Sequence, residues 1–74
     1  PGRFDERAGT AAEAAFELRR LAFAARLARG GPPDQIRADL LSLGIEVEYV
    51  AEQDRRRLAA VVIDGVRLID NVPL

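Results

Sequence analysis

The segment D-Q-I-R-A-D-L-L-S-L-G-I, residues 34–45, has the pattern of a short amphipathic helix with a marked end. Apolar residues recur at the spacing of one helical face from Ile36 to Leu43. Gly44 stands where a left-handed cap belongs, and Ile45 beyond it is placed to contact the last turn, as in a Schellman motif. The sequence therefore predicts a helix that ends at a glycine and leads directly into a strand.

That strand shows strict alternation of apolar and acidic residues. Ile45, Val47 and Tyr49 occupy one side, and Glu46 and Glu48 occupy the other. Alternation with a period of two is typical of a half-buried strand. We therefore expect the first three side chains to point into the core and the two glutamates to face solvent.

A β-hairpin is predicted further along the chain. Residues 51–57 are polar and indicate a loop or a hairpin arm, whereas residues 58–63 are rich in β-branched residues. The dipeptide Asp64-Gly65 is a strong two-residue turn signal, and residues 66–69 form the returning strand. The register follows from that turn. It pairs Ile63 with Val66, Val62 with Arg67, Val61 with Leu68 and Ala60 with Ile69.

A longer helix is predicted before these elements. Thr10 and Glu13 fit a capping box. Alanine, leucine and arginine follow up to Arg29, all of them good helix formers, and the Gly-Gly-Pro-Pro segment over residues 30–33 must end the helix. Residues 1–9 are charged and glycine-bounded, and we interpret them as a flexible leader.

This first helix has two apolar stripes on nearly opposite sides. The stripe of mostly small side chains suits close packing, and it consists of Ala11, Ala14, Leu18, Leu21, Ala22 and Ala25. The other stripe consists of Ala12, Phe16, Phe23 and Leu27. A surface helix of a small protein needs only one apolar face, so we expect the phenylalanine stripe to be a protein interface. The alternative is that both stripes are buried within this chain.

Together these patterns predict one small α+β domain over residues 10–74, with two helices packed on a three-stranded antiparallel sheet in the order α-α-β-β-β. The net charge of −1 provides no overall field that attracts nucleic acid or an anionic membrane. No apolar run approaches the roughly 20 residues that a membrane span requires. We therefore expect a cytoplasmic protein.

The residue types present argue against catalysis by this chain. The sequence contains no histidine and no cysteine, which removes the commonest general base and metal ligand as well as any thiolate. No phosphate-binding loop or nucleophile motif occurs, so we expect no metal, no cofactor and no enzymatic activity. Of three hypotheses for the function, a small enzyme is therefore the least favoured, and the other two follow below.

All eleven basic residues are arginines, and Arg55-Arg56-Arg57 is the densest basic run. This run is typical either of a solvated loop or of a site that contacts phosphates. The candidate nucleic-acid contacts are Arg20, Arg26, Arg29, Arg37, Arg55, Arg56 and Arg57.

The pattern D-x-I-R-x-x-L-x-x-x-G-I over residues 34–45 resembles the C-terminal tail of bacterial cysteinyl-tRNA synthetases. The preceding A-R-L-A-R at residues 25–29 and the E-V-E that begins at Glu46 extend the resemblance to about residues 16–48. The resemblance implies a non-catalytic module that assists tRNA or domain positioning. The second hypothesis is a separate protein-interaction or homodimerisation domain that uses the Phe16, Phe23 and Leu27 face of the first helix.

Overall fold

The computed structural model describes residues 11–74 and confirms the predicted α+β class. Two helices are followed by three strands that form one antiparallel sheet in sequence order. The elements are α1 (Ala11–Arg29), α2 (Pro33–Ser42), β1 (Glu46–Gln53), β2 (Arg56–Ile63) and β3 (Val66–Pro73). The predicted leader over residues 1–9 and the Thr10 cap lie outside the described residues.

The end of α2 has the predicted Schellman geometry. The Ile45 N–H donates to the Leu40 carbonyl at 3.1 Å, and the Gly44 N–H donates to the Leu41 carbonyl at 3.0 Å. Gly44 has φ +80°, a conformation that side chains with a Cβ rarely adopt. Leu40 and Ile45 are both buried, so the cap also fixes the strand against the helix.

Both hairpin turns place their two central residues at positive φ, as type I′ turns require. Asp64 and Gly65 connect β2 to β3 and confirm the predicted register, from Ile63 opposite Val66 to Ala60 opposite Ile69. Asp54 and Arg55 connect β1 to β2 in the same way. Residues 51–57 therefore form the two arms and the turn of a first hairpin.

The core lies between the helices and one face of the sheet. Phe23 and Leu27 come from α1, and Ile36 and Leu40 come from α2. The sheet contributes residues from β1 and β2 together with the residue that precedes β1, namely Ile45, Val47, Ala59, Val61 and Ile63. Phe16, Val50, Leu68 and Val72 are partly buried against this cluster.

The expectation that the phenylalanine stripe of α1 is left uncovered is wrong for Phe23 and Leu27, whereas Phe16 is half-buried and Ala12 is exposed. Phe23 is 3% exposed and Leu27 is fully buried, both within this chain. The opposite stripe faces outward instead, with Leu18 at 68% and Leu21 at 51% exposure. Filling the space between a helix and a sheet removes more apolar area from water when the larger side chains point inward, so the aromatic stripe packs and the alanine-rich stripe does not.

The expectation that Tyr49 points into the core is also wrong. The register between β1 and β2 shifts between Val47 and Tyr49, which is a β-bulge at Glu48. A bulge adds one residue to a strand and so reverses the alternation beyond it. Val50 therefore packs on the core, whereas Tyr49 is 40% exposed on the other face of the sheet.

Substitutions on the two stripes of α1 test this packing. Leu27→Ala leaves a cavity in the core, and we expect it to lower the free energy of unfolding by about 2–5 kcal/mol. Leu21→Ala is the matched control on the exposed stripe, and we expect a change within about 0.5 kcal/mol. Urea unfolding followed by circular dichroism measures both, and a larger loss for Leu21→Ala than for Leu27→Ala would contradict the packing.

Candidate functional site

Two arginine side chains are buried at the C-terminal end of α1, where the last carbonyl groups of a helix have no partners within it. Arg26 donates from Nη1 to the Gly30 carbonyl at 2.6 Å, and Arg57 donates from Nη1 to the Leu27 carbonyl at 3.0 Å. Positive charge is also favourable at this end of the helix dipole. These two arginines therefore cap the helix.

Gly30 lies against the Arg57 guanidinium. A Cβ at position 30 would stand 3.3 Å from Arg57 Nη2, and Gly30 has φ +89°. Both the close approach and the left-handed backbone favour glycine at this position. The glycine that ends α1 therefore also leaves room for the arginine that caps it.

A second arginine contact connects the two helices. Arg26 donates from Nε to Asp39 Oδ2 at 2.7 Å, and Gln35 donates from Nε2 to Asp39 Oδ1 at 2.9 Å. The hydrogen bond from Arg26, followed by that from Gln35, lowers the pKa of Asp39 from its ordinary value. The carboxylate is thereby held in its charged form by partners on both helices.

An open groove of about 430 Å³ lies beside this contact, between α1 and α2. Arg26, Arg29 and Asp39 line it together with small and apolar side chains. Arg29 Nη2 is 3.7 Å from Asp39 Oδ2. Because a carboxylate accompanies the two arginines, the groove has only a weak field for an anionic ligand.

The structure distributes the seven candidate nucleic-acid contacts over different surfaces. Arg26 and Arg57 are 7% and 9% exposed, so the prediction that these two contact a ligand is wrong, because their donors serve the end of α1. Arg20 forms an exposed pair with Glu17, and Arg56 donates to Asn71. The remaining three, Arg29, Arg37 and Arg55, are exposed. RNA contact by the exposed arginines stays a prediction.

The residues predicted as a protein interface are also separated from one another. Phe23 and Leu27 belong to the core, and Phe16 packs against it. Ala12 and Phe16 line a shallow groove with Val66 near the second hairpin turn, where Arg19 pairs with Asp64 at 2.8 Å. The four predicted residues therefore do not form one uncovered face.

The sheet face opposite the helices carries the apolar surface that the sequence analysis did not single out. We name this surface the open face. Its outward apolar side chains include Tyr49, Leu58, Ala60, Val62 and Ile69. The signal for it is the run from Leu58 to Ile63, which is apolar at every position, because such a run is typical of a strand that is covered on both faces.

The electrostatics of the described residues favour charged pairs. Hydrogen bonding to Arg20 lowers the pKa of Glu17, and hydrogen bonding to Glu48 raises the pKa of Arg67.

Within residues 11–74, no group of three or more acidic side chains is placed to hold a metal ion. No helix in this range is long and apolar enough to cross a membrane.

Comparison with known proteins gives a partial similarity. Residues of this chain align with the pantothenate synthetases of Coxiella burnetii strains Dugway 5J108-111 and RSA 493 / Nine Mile phase I, in each case with 45% identity over 40 residues. The alignment covers 54% of this chain and 16% of each relative, so the chain matches only a small part of their length. No family model and no solved structure matches the chain.

This comparison corrects the family suggested by the sequence pattern. The chain is similar to part of a different enzyme, and the resemblance to cysteinyl-tRNA synthetase is wrong. The pattern over residues 34–45 consists of an amphipathic helix, a Schellman glycine and the residue that precedes a strand. Unrelated helix–strand junctions share these features, so the pattern does not identify a family.

The contact around Asp39 predicts a pH dependence. Because its pKa is lowered in the folded state, the contact contributes its full stabilisation above the unfolded value of about 3.9 and loses it as the pH falls through the folded value. We expect wild type and Asp39→Asn to differ most in unfolding free energy above about pH 4, and to converge as the pH falls through the folded pKa of Asp39.

Urea unfolding at a series of pH values measures this difference. Asp34→Asn is the control, since it removes an exposed carboxylate of the same helix that lies outside the Arg26 contact. A difference between wild type and Asp39→Asn that grows as the pH falls below about 4 would contradict the assignment.

Proposed function

We propose that this chain is a non-catalytic segment of a pantothenate synthetase-like protein. The observation that carries the proposal is the 45% identity over 40 residues with the enzymes of Coxiella burnetii. Because the alignment covers 16% of those enzymes, the proposal assigns the chain to a part of such a protein. The cytoplasmic location expected from the sequence is part of the same proposal.

The chemistry of the described residues supports a non-catalytic role. A general base works best when its pKa is near the operating pH. Hydrogen bonds from arginines instead lower the pKa values of Glu17 and Asp39 from their ordinary range, and this makes both carboxylates weak bases. The chain as a whole contains no histidine and no cysteine, which supports a role outside the residues that form pantothenate.

The contacts of the fold support a structural role. The buried Arg57 connects β2 to the end of α1 across 30 positions of sequence, and Arg26 connects α1 to α2. Together with the core, these contacts hold both helices on the sheet. The segment is therefore built as a stable unit whose outer surfaces are free to pack on the rest of a larger protein.

A chimaera tests the proposal. Residues 11–74 replace the corresponding segment of the Coxiella burnetii enzyme, and the product is expressed in bacteria that lack pantothenate synthetase. We expect growth without added pantothenate, because 45% identity over the aligned residues favours a segment that fits the enzyme around it. The 74-residue chain expressed alone is expected to give no growth, since it supplies no catalytic group.

Two control chimaeras separate folding from function. Leu27→Asp places a charge in the core, and we expect it to abolish growth. Leu18→Asp changes an exposed position on the same helix, and we expect it to leave the fold intact. Failure of the unmodified chimaera to support growth, with the protein folded and expressed at the level of the parent enzyme, would contradict the proposal.

A further inference from the structure

The turn between β2 and β3 contains the one position of the sequence at which glycine follows aspartate. Asp64 and Gly65 have φ +51° and +80°, and the Asp64 side chain is 51% exposed. No atom lies within 4 Å of the place that a Cβ at Gly65 would occupy. The peptide bond between these two residues is therefore open to solvent and has no side chain on its glycine side.

An aspartate in this position can react with its own main chain, because glycine has no side chain that shields the peptide nitrogen. The Gly65 nitrogen attacks Cγ of the protonated Asp64 carboxyl group, an N–Cγ bond forms, and the amide hydrogen leaves with the carboxyl hydroxyl as water. Water then adds to the main-chain carbonyl carbon of the resulting five-membered imide, and the bond from that carbon to nitrogen breaks. The product is isoaspartate, which has the same mass as aspartate and a main chain that runs through Cγ.

The turn between β1 and β2 provides a comparison within the same chain. Asp54 and Arg55 are also exposed at positive φ, +54° and +63°. The residue that follows Asp54 is an arginine, and its side chain hinders approach to the peptide nitrogen. The two turns therefore share their exposure and the backbone conformation of the aspartate, and they differ in the residue that follows it.

A contact from α1 restrains the Asp64 side chain. Arg19 donates from Nη2 to Asp64 Oδ1 at 2.8 Å. Ring closure brings the carboxyl carbon to bonding distance from the Gly65 nitrogen, so the carboxylate has to leave the position in which Arg19 holds it. An exposed ion pair of this kind shifts such an equilibrium by a factor of about two to five.

We propose that Asp64 is a modification site at which aspartate converts to isoaspartate, and that Arg19 slows the conversion. The exposed turn and the missing side chain at Gly65 support the site, and the contact with α1 supports the restraint. The reaction needs only water, so no further reagent is required. The proposal does not rest on the proposed function.

The conversion alters the turn that sets the register of β2 and β3. One carbon atom enters the main chain between residues 64 and 65, and the geometry of a two-residue type I′ turn is lost. The new carboxyl group is attached to a different carbon from the one that Arg19 contacts. Phe16 lies beside the same turn, so the conversion weakens the connection between the first half of α1 and the hairpin.

Incubation of the folded 74-residue chain at neutral pH over several weeks, followed by trypsin digestion and mass spectrometry, measures the conversion. Cleavage at arginine places Asp64 in the peptide of residues 58–67 and Asp54 in the peptide of residues 38–55. We expect at least about tenfold more isoaspartate at position 64 than at position 54. A methyltransferase specific for isoaspartate is expected to label the peptide of residues 58–67.

Three variants separate the reaction from its restraint. Asp64→Glu keeps the charge but would require a six-membered ring, and we expect it to abolish labelling of the peptide of residues 58–67. Arg19→Met removes the donor to Asp64, and we expect conversion about two to five times as fast as in wild type. Arg20→Met is the matched control, because Arg20 pairs with Glu17 on the same helix, and we expect it to leave the rate unchanged. Circular dichroism checks that each variant is folded.

Two results would overturn the proposal. The site is refuted if position 64 of the folded chain stays unmodified over the time in which a synthetic peptide of residues 58–67 converts, or if positions 54 and 64 convert equally. The restraint is refuted if folded Arg19→Met converts at the rate of wild type. Either result leaves the proposed relation to pantothenate synthetase untouched, because the chimaera tests that relation separately.

Discussion

The packing of Phe23 and Leu27 against the sheet is the constraint on which the rest of the structure depends. These side chains fix which stripe of α1 faces inward, and with it the position of the helix end near Arg57. Covering one face of a three-stranded sheet uses the aromatic stripe of the longer helix. The alanine-rich stripe and the far face of the sheet are left as surface, and both are apolar.

The two buried arginines of this protein, Arg26 and Arg57, stabilise the fold, and their donors are not presented to a ligand. The end of α1 carries carbonyl groups that need donors, and Arg26 and Arg57 supply them from positions that are almost completely buried. Burial of a guanidinium is costly unless its donors are satisfied. Arg57 Nε has no hydrogen-bond partner among the described residues, which makes this the less favourable of the two caps.

The local elements were predictable from the sequence because their signals are short-range. The Asp64-Gly65 turn determined the register of β2 and β3, and the glycine after α2 determined where that helix ends. The order of two helices and three strands followed from periodicity alone. No contact between distant residues was needed for any of these predictions.

The wrong predictions concern features that are determined by tertiary contacts. Periodicity shows that α1 has two apolar stripes, but only the sheet that α1 packs on determines which stripe is buried. An alternating sequence gives no signal for the bulge at Glu48, and this bulge is the reason that Tyr49 faces outward. The burial of Arg57 depends on a contact with a helix end 30 residues away. The basic run Arg55-Arg56-Arg57 therefore gave no indication that Arg57 is buried. The family assignment failed because a helix–glycine–strand pattern describes a local conformation.

Thiol reactivity of single cysteines tests the central claim most directly, since the chain has no cysteine of its own. The substitutions Leu27→Cys and Leu18→Cys place one thiol on each stripe of α1. The account predicts that the thiol at position 27 reacts at least about 100-fold more slowly with a water-soluble reagent, because it is reached only when the core opens. Equal rates, or a faster reaction at position 27, would contradict the packing from which the rest of the account follows.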